Sequence, residues 1–163
     1  GRKTQTRRVV KGTVLQWLYM FTPEFVASPG NSMCPYGGPG DFLWVRETWA
    51  VDSETVEQAR REHEDAYGSA HGPYYKATEV APDTLRWRSP IHMPRWASRI
   101  TLEVTDVRIE HAQDISEEDA EAEGCARREH FIRLWDSINA KKGYGWDANP
   151  YCWCISFRRT EHD

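Results

Sequence analysis

The sequence predicts an α+β fold built on a small, strongly bent β-sheet. Three observations predict it: a long strand at 99–110 whose apolar phase slips by one residue, an alternating aromatic strand at 151–157, and two short helical segments between them. A one-residue slip near Thr105-Asp106 marks a β-bulge, and bulges bend strands as small barrels require.

The elements follow in order. Residues 1–10 are basic and end in Val9-Val10, and 11–40 alternate aromatic patches with Pro and Gly, an irregular excursion closed by the turn residues Pro39-Gly40-Asp41. Phe42 to Trp49 reads as a strand, with Leu43, Val45, Glu47 and Trp49 on one face and Phe42, Trp44, Arg46 and Thr48 on the other. Residues 52–66 are dense in charge, and Ser53 is placed to cap a solvated helix. Tyr74-Tyr75 and Leu85 to Arg88 suggest short strands. Pro90 to Trp96 reads as an extended segment, because each proline fixes its own φ and restricts its predecessor.

In the strand 99–110, Ile100, Leu102 and Val104 share a face before the phase moves to Val107 and Ile109. Ser116, three residues before Asp119, predicts a helix N-cap, and Gly124 is placed to stop that helix. Phe131, Leu134, Trp135 and Ile138 repeat at helical spacing as a core stripe. In the closing strand Tyr151, Trp153, Ile155 and Phe157 alternate with Cys152, Cys154 and Ser156.

Composition narrows the function classes. At 163 residues the chain suits one domain, and 39% hydrophobic with 28% charged residues excludes global disorder. A net charge of −4 excludes a uniformly basic duplex binder. The charges are segregated, however. Arg2, Lys3, Arg7 and Arg8 crowd the start, Arg86, Arg88, Arg95 and Arg99 lie in a stretch free of acids, and Asp114, Glu117, Glu118, Asp119, Glu121 and Glu123 cluster further on. Such segregation permits a local basic mouth on an acidic body. Eight tryptophans and seven tyrosines are enough both to fill a small core and to stack bases.

No apolar run approaches the roughly 20 residues that span a membrane, and no signal peptide is visible, so a cytoplasmic protein without a membrane partner is expected. Cys34, Cys125, Cys152 and Cys154 lack zinc-ribbon spacing and read as reduced, packed thiols, with no metal and no cofactor. The chain opens on a dense polar motif without a methionine, so a preceding piece is expected to be missing.

That opening, Gly1-Arg2-Lys3-Thr4-Gln5-Thr6-Arg7-Arg8, resembles the glycine motif of the ASCH family, small PUA-like β-barrels, at Gly1, Lys3, Thr6 and Arg8. Gly40-Asp41-Phe42-Leu43-Trp44-Val45 is similar to the family's Gly-Asp-x-Leu-x-Val strand, and the later strands and acidic helix follow in the family's order. The pattern is closer still to ASCH-like proteins of tailed bacteriophages and prophages. There the matching stretches are Cys34-Pro35-Tyr36-Gly37, Trp44 to Trp49, Ile91 to Ser98, Asp114-Ile115-Ser116 and Trp146 to Pro150. The resemblance implies one PUA-like domain over residues 1–163, a small bent β-barrel with flanking short helices, carrying insertions at about 11–38 and 51–80. It also implies that the first strand and helix, which precede the glycine motif in those proteins, are the missing piece.

The resemblance further implies two ligand chemistries: RNA or modified nucleobases bound in the barrel, and, in one branch, hydrolytic deacetylation of N4-acetylcytidine. Carried over residue by residue, the hydrolytic set is Lys3, Thr6 and Glu123, with Arg8 as the motif arginine and Glu121 one possible turn away. Amide hydrolysis needs a nucleophile, a proton acceptor and a stabilised oxyanion. Thr6 would supply the hydroxyl, Lys3 would be neutral part of the time, and Glu123 would pass a proton to the leaving nitrogen. The bland alternative leaves Lys3 and Arg8 binding phosphate.

Glu47 stands out without any resemblance, because a carboxylate on an apolar strand face needs a partner. It either accepts from the exocyclic amine of a base or pairs with Arg99 or Lys3. Arg86-Trp87-Arg88 and Arg95-Trp96 interleave cations with rings, which suits single-stranded nucleic acid as well as an ordinary barrel wall. The candidate binding set is therefore Arg8, Trp44, Glu47, His92, Arg95, Trp96 and Arg99, with Lys3, Arg8, Arg95 and Arg99 as the basic rim. His92, without a visible partner, reads more simply as a wall residue. Three functions remain open: binding of single-stranded nucleic acid or a modified nucleoside, hydrolysis of an N-acylated nucleoside, and a phage accessory or assembly role through protein contacts.

Overall fold

The computed structural model describes residues 3–51, 73–79 and 82–160. The chain divides into two compact units, residues 1–43 with 102–159, and residues 44–101 with 160–163. The charged helix expected at 52–66 lies outside the described residues.

The fold is α+β, with a curled antiparallel half-barrel sheet and short helices. The sheet runs in the order β1-β6-β5-β2, with β1 Gln5–Val9, β2 Phe42–Trp44, β5 Thr101–His111 and β6 Tyr151–Arg159. Both β1 and β5 pair antiparallel with β6. The register of β5 on β6 shifts between Val104 and Asp106, so Thr105 is the extra residue of a bulge. The bulge keeps Val104, Val107 and Ile109 together in one core although their spacing breaks strict alternation.

The first unit has a core on each face of this sheet. On one face Val10, Val104, Val107, Ile109, Trp153 and Ile155 pack with Val26 of α2 (Pro23–Ala27), which follows α1 (Thr13–Trp17) in the excursion. On the other, Cys152 packs with Ala120, Phe131 and Trp135 of the helices α3 (Glu117–Ala122) and α4 (Arg128–Asn139). Strand β6 is therefore covered on both sides. In the stripe on α4, Phe131 and Trp135 are buried but Leu134 and Ile138 are about half exposed, so only half of the expected stripe is core.

The caps of α3 form where the sequence places them. Ser116 Oγ accepts from the Asp119 N–H, and Gly124 closes the helix at φ +86°, the left-handed conformation that glycine adopts without a Cβ penalty. Just beyond, the Thr4 N–H donates to the Ala122 carbonyl at 2.8 Å and ties the start of β1 to this helix end.

In the second unit β3 (Trp49–Ala50) pairs antiparallel with β4 (Tyr74–Tyr75), and Arg88 adds a single bridge to Trp49. Trp49, Val51, Tyr75, Met93 and Ala97 form its core. Two expectations change here. The strand expected from Phe42 to Trp49 breaks after Trp44, because Val45 and Ser98 exchange hydrogen bonds with loop backbone and the Glu47 N–H turns to Met93 Sδ. The Pro90–Trp96 segment is coiled into two 3₁₀ turns, Pro90–His92 and Arg95–Ala97, since the fixed φ of Pro90 also suits a first helical residue.

Candidate functional site

The candidate residues fall into two groups, one in each unit. Lys3, Thr6, Arg8 and Glu123 belong to the first, and Trp44, Glu47, His92, Arg95, Trp96 and Arg99 to the second.

In the first group, the tie between Thr4 and Ala122 sets Lys3 beside the end of α3, where Gly124 leaves room. A Cβ there would stand 3.6 Å from Lys3 Cβ. Lys3 Nζ donates to Glu123 Oε2 at 2.8 Å; the Lys3 side chain is 44% exposed and that of Glu123 only 5%. The second carboxylate oxygen, Oε1, is buried without a hydrogen-bond partner among the described residues. Glu121, two residues earlier, is exposed. This arrangement joins a buried proton-accepting oxygen to a solvent-reaching ammonium.

Thr6 does not join them. Its register partner is Ile155, so strand alternation turns it to the opposite face of β1 from Arg7, where its hydroxyl is buried and has no hydrogen-bond partner among the described residues. Arg8 shares that face, is exposed, and among the described residues bonds only to the Arg7 carbonyl at 3.2 Å.

Sequence reasoning missed the largest polar feature of this unit. The Arg7 side chain is fully buried and donates to Glu110 Oε2 through both Nη1 (2.9 Å) and Nη2 (2.8 Å), and through Nη2 to Asp119. Arg108 grips the same two acids: Nε donates to Glu110, and Nη2 to both Asp119 oxygens at 2.9 Å and to Gln5 Oε1 at 2.9 Å. The signal was present in the alternation, since Arg108 and Glu110 sit out of phase with Val107 and Ile109, and Arg7 with Thr6. Burial works to raise the Glu110 pKa, but the hydrogen bonds from Arg108 and Arg7 outweigh it and hold the carboxyl below its ordinary value. Burial pushes the neighbouring Cys152 thiol up to about 12 and Cys154 higher still, so neither is a thiolate nucleophile at neutral pH. Matched in charge, this cluster joins β1, β5 and α3.

In the second group, Glu47 is paired within its own unit. Arg99 grips it with Nε and Nη2, each at 2.9 Å, and lies 4.0 Å over the Tyr75 ring. Arg99 also donates to Thr78 Oγ1 at 2.9 Å. Of the two structural partners open to Glu47, Arg99 is the one used, whereas Lys3 takes Glu123. The remaining cations are exposed. Arg46 lies 4.5 Å over the Trp44 ring and Arg88 5.3 Å over Trp49, against whose ring Trp96 packs edge-on at 5.9 Å. Arg95 makes one long bond to Thr101 Oγ1 at 3.4 Å, and His92 is exposed.

No family model matches the chain, and neither the curated proteins nor the solved structures hold a match to it. Among the described residues no helix is long and apolar enough to cross a membrane.

Proposed function

We propose that the chain is an ASCH-like, PUA-type domain, of the kind tailed phages encode, that binds single-stranded nucleic acid or a modified nucleobase. One observation carries the reading: in the second unit the exposed Arg46 guanidinium lies over the Trp44 ring. Three further exposed cations, Arg86, Arg88 and Arg95, fall in a stretch with no acid between Asp83 and Glu103. Bases stack on indole and guanidinium planes, while arginines pair with phosphates. Glu47 and Arg99, spent on each other, position this surface rather than contact the ligand.

The test is fluorescence anisotropy of a labelled uridine dodecamer, and of its thymidine counterpart, at low salt. Binding is expected, and Trp44→Ala should weaken it by about 1–3 kcal/mol, the worth of one stacked base. No binding at low salt would overturn the reading.

The contact between Lys3 and Glu123 favours a second one, hydrolysis of an N-acylated nucleoside such as N4-acetylcytidine. With Thr6 on the other strand face, water is the nucleophile. Glu123 takes its proton as oxygen bonds to the acyl carbon, Lys3 stabilises the oxyanion, and the C–N bond breaks as the proton passes to the leaving nitrogen. Release of acetate should stop in Lys3→Ala and in Glu123→Gln, and turnover unchanged in both would reject it.

A further inference from the structure

The long strand β5 is unequally paired on its two edges. One edge runs the length of β6, but on the other β2 has only three residues, and its ladder ends where Val104 exchanges backbone hydrogen bonds with Gly40 and Asp41. Beyond the bulge the parity of the ladder decides which groups are free. The Val10 N–H donates to the Tyr151 carbonyl and the Phe157 N–H to the Thr4 carbonyl, so the odd residues of β6 spend their backbone on the β1 side. Their opposites in β5, Val107 against Ile155 and Ile109 against Trp153, therefore point N–H and C=O outward. Among the described residues no backbone partner meets them.

That edge is not flush against its neighbour. A groove of about 500 Å³ separates it from the end of α2, whose wall is Ala27, Ser28 and Pro29. Two carboxylates line the groove: Glu110, already held by Arg7 and Arg108, and Glu24, which is exposed. Its one cation, Arg108, is already engaged by Glu110, Asp119 and Asp106.

We propose that this groove is a docking site for an extended, basic peptide segment of a partner protein, which adds to the edge of β5 as a short strand. Unpaired donors and acceptors repeating every second residue are met in full by another extended backbone, the mode of strand addition. The span from Val107 to Ile109 is about 7 Å, so about three peptide residues engage. Apolar side chains of the added strand fall on Ala27 and Pro29, and a basic one reaches the exposed Glu24. Apolar and basic residues in alternation satisfy both. This surface uses none of the groups assigned to nucleic acid or to hydrolysis.

The probe is the fluorescein-labelled, end-blocked peptide Lys-Val-Lys-Val-Lys, titrated into the whole chain by anisotropy and by amide NMR. Binding is expected to shift the Val107 and Ile109 amides and slow their hydrogen exchange. N-methylation of alternate peptide nitrogens on the bonding edge should weaken binding at least about ten-fold, because it removes backbone donors without altering side chains. Glu24→Arg, at an exposed position, should weaken it while leaving the fold intact, and Ser28→Trp should fill the groove. The proposal is overturned if the two amides stay unchanged, if Glu-Val-Glu-Val-Glu binds equally, or if N-methylation has no effect. It is equally overturned if a uridine oligonucleotide displaces the peptide, or if self-association alone protects those amides.

Discussion

Arg7 shows how much a single side chain can hold. A buried guanidinium is tolerable only when its charge and most of its donors are met, and here Glu110, Asp119 and Cys154 meet the charge and both terminal nitrogens, leaving Nε without a partner among the described residues. Arg7→Ala should therefore cost about 3–5 kcal/mol in urea denaturation, the range for breaking a buried pair. Arg8→Ala, next in sequence but exposed, should stay within about 0.5 kcal/mol. The same cluster sets an acid limit on stability. With its pKa held down in the folded state, Glu110 contributes stability that is fully present above its unfolded value of about 4.3 and is lost as pH falls through the lower folded value. The urea midpoint should fall with acid over that window, and the curve for Glu110→Gln, lower at neutral pH, should be flatter and approach the wild-type curve at the acid end.

Among the elements, α3 has a sharply defined end because it must deliver Glu123 to Lys3. Gly124 at φ +86° is the device, and the space beside it admits a Cβ at ordinary contact distance. Gly124→Ala thus tests backbone strain alone. A loss of about 1–2 kcal/mol in thermal or urea unfolding is expected, from the left-handed cost to an L-residue. Elements with local signals were legible in the sequence: the Ser116 cap, the Gly124 stop, the bulge at Thr105 and the alternation in β6 each depend on a few adjacent residues. The Phe42–Trp49 strand was not. Its alternation is genuine, but Val45 and Ser98 are joined by a hydrogen bond across 53 positions, and no local pattern reports that. The site follows the same division. Lys3 with Glu123 came from a motif, and Glu47 with Arg99 from the burial argument. The Arg7–Arg108 cluster needed three elements to be brought together, and the placement of Thr6 needed the register of β1.

At the scale of the whole molecule, charge segregation decides what nucleic-acid binding can look like. The chain carries −4 overall, while the described residues of the second unit hold six basic side chains against three acidic ones. Of those six, Arg99 is neutralised by Glu47, which leaves Arg46, Arg86, Arg88 and Arg95 as the exposed arginines, Arg46 and Arg88 lying over aromatic rings. Four phosphate contacts on a single strand release few counterions, at about 0.7 per contact. The plot of log K against log salt should then have a slope of about −3, far shallower than for a basic duplex binder. Arg46→Ala should lower its magnitude by about 0.7 together with the affinity. A Trp44→Ala change should lower affinity at an unchanged slope, because stacking releases no counterions. Equal slope changes from both substitutions would mean that Arg46 and Trp44 act only by supporting the fold, and the surface would lose its role as a stacking platform.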